Sequence, residues 1–177
     1  MRAAILTIAL LLSQAVGATI PEMSEDGWYR WQIENPEGSH MYCWRGHNSY
    51  TSKCDELTVP GATFVYVHSR KGEIVDLRLS SAQCAIDLEA EARDIGVIDN
   101  ADSIAWLKAL AESDEGASED ATAAIAAHAS EDALPVLISL IENQRLDQDV
   151  RQHALFWLVQ SDDDEAYGYL DTLLAER

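Results

Sequence analysis

Shifted by 33 residues, the C-terminal part of this chain lies on itself: Ala121 falls on Ala154, Ile125 on Leu158, Ala133 on Ala166, Leu137 on Leu170 and Leu140 on Leu173. A period of this length, with apolar residues three and four apart inside it, marks pairs of helices. Each pair buries only part of its apolar surface alone and stacks on the next to cover the rest. The region must therefore fold into helices that share one core. Two repeats stand near the lower limit of such an array, so its free end needs a cap, and the chain that precedes it is the candidate.

Helix signals divide the region from Asp102 onward into five short segments. Asp102 caps the first, with Ile104, Leu107 and Leu110 inward, and Glu115-Gly116 ends it. Ser118 opens the second, which runs to about Ala129 with Ile125 as its anchor. Asp132 caps the third, placing Pro135 at the third helical position, where a missing N–H costs nothing. Val150, Ala154 and Leu158 mark the fourth, and Ala166, Tyr169, Leu170, Leu173 and Leu174 the fifth. Leu155 to Val159 are all apolar, so the fourth helix has no wet face there. It is either sandwiched or presents a contact patch, of which Phe156 and Trp157 are the candidate residues.

Before the helices the period changes to two. Tyr29, Trp31 and Ile33 alternate with Arg30, Gln32 and Glu34, the pattern of a half-buried strand. Asn35 to Gly38 breaks it, and His40 to Trp44 is expected to run back alongside as a hairpin. A second hairpin joins Thr63–Ser69 to Glu73–Ser80 through Arg70-Lys71-Gly72, with Val65 and Val67 facing Val75, Leu77 and Leu79. Residues 81 to 101 read as a transition, Ile86 to Asp94 forming one or two helical turns. The aromatic residues Trp28, Tyr29, Trp31, Tyr42, Trp44 and Tyr50 supply the core a small sheet needs more readily than a ligand platform.

Asp132-Ala133-Leu134-Pro135-Val136-Leu137, followed by Asp149-Val150-Arg151-Gln152-His153-Ala154 and Leu158, resembles the HEAT repeats of the short bacterial kind, over roughly residues 118 to 177. The resemblance implies that Pro135 opens a helix, that Asp149 precedes the next, and that Arg151 links to the aspartate side of a neighbouring repeat. It departs at Gly168, which stands where the other repeat has Pro135.

Residues 1 to 18 read as a cleavable export signal: Arg2 supplies the positive end, Ala3 to Leu12 the apolar run, and Val16-Gly17-Ala18 the small residues at the cut. The run is too short to span a bilayer, and no other stretch is long and apolar enough. Cleavage would leave 159 residues with 11 basic against 31 acidic side chains, a formal charge of −20. The acids crowd into residues 81 to 177, which carry −17, against −3 for 19 to 80. Such a field argues against nucleic acid and anionic membrane as partners; it serves solubility first, and also speeds encounter with a basic partner.

In an oxidising compartment the three cysteines, Cys43, Cys54 and Cys84, imply one disulfide and one remaining thiol. Three pairings are open, Cys43 with Cys54 closing the shortest loop. His40, Cys43, His47 and Cys54 have a spacing that could surround zinc, though export favours oxidation of the thiols. Asp162 to Glu165 lacks the alternation and central glycine of a calcium loop, and suits a helix N-terminus instead. No nucleophile elbow, metalloprotease helix, phosphate loop or Cys-x-x-Cys pair occurs.

The sequence thus implies an α+β protein: a leader at 1–18, a cysteine-bearing antiparallel β module at 19–100 held by a disulfide, and HEAT-like helical repeats at 101–177. The expected role is that of a secreted or periplasmic scaffold or adaptor, not an enzyme. It would need no cofactor and would bind another exported or envelope protein; a zinc-binding or thiol-dependent exported enzyme is the alternative. Expressed in an exporting host, the recovered protein should begin at Thr19 by N-terminal sequencing. Recovery of the exported protein with Met1 intact would remove the leader from this account.

Overall fold

A computed structural model of the chain describes residues 19–33, 41–45, 48–52, 62–82, 84, 86–113 and 115–175, with backbone alone for 41–45 and 48–52. The strands are β1 (Gly27–Ile33), β2 (Met41–Arg45), β3 (Asn48–Ser52), β4 (Thr63–Arg70), β5 (Glu73–Ser81) and β6 (Arg93–Val97). The helices are α1 (Asn100–Ala111), α2 (Ser118–Ala126), α3 (Ser130–Glu142), α4 (Gln148–Gln160) and α5 (Asp164–Ala175).

The hairpin of β4 and β5 follows its sequence signals. Lys71 and Gly72, both at positive φ, form the two-residue turn whose twist suits the flanking strands. Val65 pairs with Leu79 and Val67 with Leu77, as the alternation requires. The register slips between His68 and Ser69, so that Ser69 opposes Ile74. Val75 has no opposite number there and remains exposed.

Elsewhere the sheet departs from expectation. It is mixed, in the order β5-β4-β1-β6, because β6 lies parallel to β1. The helical turns expected between Ile86 and Asp94 are not formed. Residues 86–92 are irregular, and Arg93 to Val97 is strand. A bulge at Ile95 lets this short charged segment follow β1, with Gly96 at φ +99° and its N–H donating to Asp94 Oδ1 at 2.9 Å. β1 does not pair with the segment after it. It is a central strand, antiparallel to β4 on one side, while β2 pairs with β3 in a separate ribbon. A central position fits its burial: Trp31 and Ile33 are fully buried on one face, and Trp28 lies buried on the other, stacked on His68 at 4.7 Å with Arg78 over its ring at 4.5 Å.

The disulfide-held module also needs correction. No Sγ–Sγ bond joins two described side chains. Cys54 lies outside the described residues, as do the Cys43 side chain and the leader. Cys84, just after β5, is engaged and not a free thiol.

The five helices form a packed bundle, with α2 against α1, α3 and α4, and α5 against α4. Equivalent positions of the 33-residue period face inward together: Ala121 and Ala154, Ile125 and Leu158, and Ala133 and Ala166 are all buried. Two helix starts lie earlier than their expected caps. Asp99 caps α1, accepting from Ala101 N–H at 2.9 Å, and α3 begins at Ser130. Pro135 therefore sits at the sixth helical position. Its missing N–H falls on an exposed face of the helix, with Glu131, four residues earlier, exposed as well.

Sheet and bundle share one apolar core, running from Met23 and Trp31 through Leu107 and Ile125 to Leu158 and Ala166. One buried polar chain crosses it. Trp31 Nε1–H donates to Ser103 Oγ at 2.8 Å, and Ser103 lies 2.9 Å from His128 Nε2. His128 Nδ1 lies 2.9 Å from the Ala124 carbonyl, which only accepts, so the proton is on Nδ1 and Nε2 receives the Ser103 hydroxyl. Burial holds this imidazole below its ordinary pKa and keeps it neutral.

Each member thus has its partner, and β1, α1 and the end of α2 are joined at one point. Ser103→Ala would leave the Trp31 indole N–H and His128 Nε2 buried and unpaired. Denaturant titration should show a loss of about 3 kcal/mol, while Ser139→Ala on the exposed face of α3 stays within about 0.5 kcal/mol. Equal effects for the two variants would remove the buried chain from the account.

Candidate functional site

The start of α2 is fixed by the sheet. Glu115, just before the helix, accepts a hydrogen bond from the Ile74 N–H of β5, so the first turn of α2 lies beside that strand. Glu119 and Asp120 stand in this turn, where the helix dipole favours acids. On the other side of α2 lies α4, capped by Asp147, which accepts from Asp149 N–H at 2.8 Å. Ala123 and Ala154 are small and buried, and they allow α2 and α4 to approach closely.

Between the two helices opens a groove of about 400 Å³, lined by Glu119, Asp120, Ala123, Gln152, His153, Phe156 and Trp157. Its two walls are the same positions of the 33-residue period: 119 with 152, 120 with 153, and 123 with 156. One wall is acidic. The other carries an aromatic pair, Phe156 54 % exposed and Trp157 half-buried, edge to face at 5.2 Å. Trp157 packs on the core, so Phe156 stands on a fixed support.

The acids are not equally placed. Glu119 Oε2 lies 3.5 Å from His153 Nε2, an ion pair only when the imidazole is protonated, and too exposed on both sides to hold the helices together. Asp120 has no hydrogen-bond partner among the described residues. Burial first, and the negative Asp76 of β5 second, push its carboxyl from the ordinary 3.8 up to about 6; Glu119 adds to the effect and His153 opposes it. The residue is nevertheless exposed on the groove wall, so the crowding comes from its neighbours and not from a sealed core. Asp76 brings no free cation, because Arg78 is committed to it at 2.7 Å, to the Asp87 carbonyl at 2.9 Å and to the face of Trp28.

Of the residues singled out from the sequence, Phe156 and Trp157 line this groove. Pro135, Asp149 and Arg151 do not. Pro135 and Asp149 are exposed, and Arg151 Nε donates to the Ile141 carbonyl at 3.0 Å, closing the end of α3 instead of reaching an aspartate. His40, His47 and Cys54 lie outside the described residues, so the zinc constellation has no described geometry. Among the described residues no group of three or more His, Cys, Asp or Glu is placed to hold a metal ion. Asp163 caps α5, accepting from Glu165 N–H at 2.9 Å, which accounts for one acid of the run before it.

Glu119, Asp120 and His153 were not singled out from the sequence. Their signal was the period itself, which superposes Asp120 on His153, but only the packing of α2 on α4 makes those positions neighbours. No helix among the described residues is long and apolar enough to cross a membrane. Comparison with protein-family models, curated proteins and solved structures finds no match to this chain.

The raised Asp120 pKa has a consequence for stability. The folded protein holds this proton up to about 6 and the unfolded chain only to about 3.8, so the group favours folding at low pH, and that contribution is lost as pH rises through about 6. His128 acts in the opposite sense: the unfolded chain takes its proton first, and stability is lost as pH falls below about 6.5. Asp120→Asn removes the first effect and leaves the second. The stability of the variant relative to wild type, from chemical denaturation, should therefore grow between pH 3.8 and about pH 6 and level off above. Discounted for solvent access, the gain is about 0.5 kcal/mol. A flat difference across that range would show that the carboxyl is not crowded.

Proposed function

We propose that this protein is an exported, non-enzymatic scaffold or adaptor whose helical array docks a basic segment of another exported or envelope protein. The observation that carries the reading is the groove between α2 and α4, where repeat-equivalent positions pair an acidic wall with an exposed aromatic one. In stacked helix pairs, equivalent positions of successive repeats line one continuous face, the surface such arrays offer to partners. The finer HEAT-like assignment belongs to this proposal, with α2 and α3 as one pair and α4 and α5 as the next.

Charge supports a basic partner over a second copy. Residues 81 to 177 carry a formal −17, so two such faces repel while a cationic surface is drawn in, with a rate that falls with salt. An exposed aromatic ring in a groove is also the kind of anchor that carries a large share of interface energy.

The test is a pull-down from the exported fraction with wild type and Phe156→Asp side by side. A stoichiometric basic partner held by wild type should be depleted at least about tenfold with the variant, which is about 1.4 kcal/mol. Equal capture by the two proteins would exclude the groove as the docking face.

A further inference from the structure

The groove holds an exposed carboxylate to which the fold, among the described residues, brings other acids and no cation of its own. Asp120 receives no hydrogen bond among the described residues and faces Asp76 of β5 and Glu119 of its own helix, both acids, while Arg78 is taken up by Asp76. The one group that opposes this crowding is His153 on α4, at 3.5 Å from Glu119. Neither α3 nor α5, the other helices against α4, contributes a residue to the groove lining. On His153's own helix the nearest acid is Asp149, one turn earlier.

Beside the carboxylates stand Phe156 and Trp157. A carboxylate pair next to an aromatic face is a seat for a long cationic side chain: the charge meets the acids, the methylene stem lies on the rings, and the ring face adds a cation–π attraction. Arginine fits such a seat best, since its planar group both stacks and forks. We propose, resting on the docking reading above, that the groove seats an arginine or lysine side chain of the partner's basic segment between Glu119, Asp120 and the Phe156–Trp157 pair. In this arrangement His153 is a built-in competitor that empties the seat when it takes up a proton.

The physical sequence is short. With His153 neutral, both carboxylates are open to an incoming cation. With His153 protonated, a cation is already seated beside Glu119, and Asp120 itself becomes neutral as pH falls through about 6. The attraction for a basic segment falls on both counts, so binding is retained near neutrality and released on mild acidification.

Calorimetric titration of the purified protein tests this with a tryptophan-free peptide of alternating arginine and alanine. A peptide with glutamate in place of arginine serves as the control. The arginine peptide should bind at about pH 7.5, more weakly at higher salt, and the glutamate peptide should not. Affinity should fall about tenfold on moving to about pH 5.5, and about tenfold at pH 7.5 in Asp120→Asn, in Glu119→Gln and in Phe156→Ala. His153→Gln should lose less affinity on acidification than wild type does.

Binding of both peptides alike, or affinity unchanged by both acid variants in proteins whose circular dichroism is native, overturns the cation seat. A His153→Gln protein as sensitive to acid as wild type overturns the competitor. The two readings separate cleanly. If the arginine peptide fails to bind while the pull-down partner is still lost with Phe156→Asp, the seat is wrong and the docking face stands; if the partner is unaffected, the docking face itself is wrong. A concentration-dependent homodimer that is abolished by Phe156→Asp would put a second copy in the groove and overturn the proposal.

Discussion

One hydroxyl group, that of Ser103, decides how the two halves of this molecule meet. It lies where a tryptophan from the central strand and a histidine from the end of α2 both project into an interior of low dielectric constant, and it satisfies both at once. An apolar side chain there would leave two polar groups without partners; water has no access to replace it, since Ser103 and Trp31 are fully buried and His128 nearly so. Hydrophobic burial alone is non-directional and would tolerate a sliding interface between sheet and helices. The three-membered chain fixes its register, and the edge-to-face contact of Trp31 with Trp106 at 5.3 Å secures the same point from the side.

Everything at the groove follows from that register. With α1 and α2 fixed on the sheet, the first turn of α2 comes down beside β5, where the Glu115–Ile74 hydrogen bond holds it. Asp120 is thereby brought against Asp76, a juxtaposition of like charges that no local rule of helix or strand would favour. Close packing of α4 on α2 then sets His153 and the aromatic pair opposite. A fold assembled for stability alone gains little from crowded carboxylates beside an exposed phenylalanine. A face that binds cationic chains gains from both.

Much of the framework was legible in the residues. The inward positions of the helices, the β4–β5 hairpin and its turn, and the alternation of β1 all follow from patterns within a single segment, where propensity and periodicity act. What was missed concerns partners far apart in sequence. Arg93 to Val97 is short, charged and bulged, and its strand character comes only from lying parallel to β1. The segment after Ile33 looked like the returning arm of a hairpin, yet β1 takes its neighbours from residues 63 to 70 and 93 to 97. Two helix starts lie three residues before those expected, at Asn100 and Ser130, because a helix end is set by competing local contacts and not by spacing alone.

The sequence by itself determined the kinds of element and the faces they bury, because hydrophobic spacing is a property of neighbouring residues. It also determined the acidic character of the C-terminal half and the presence of aromatic residues on its fourth helix. Only the tertiary structure decided that the sheet is mixed, that one hydroxyl joins sheet to helices, and that Asp120, Glu119 and His153 share a groove with Phe156 and Trp157. The reason is physical: a pKa, a groove and a polar chain are properties of distances between segments, and those distances exist only once the core has packed.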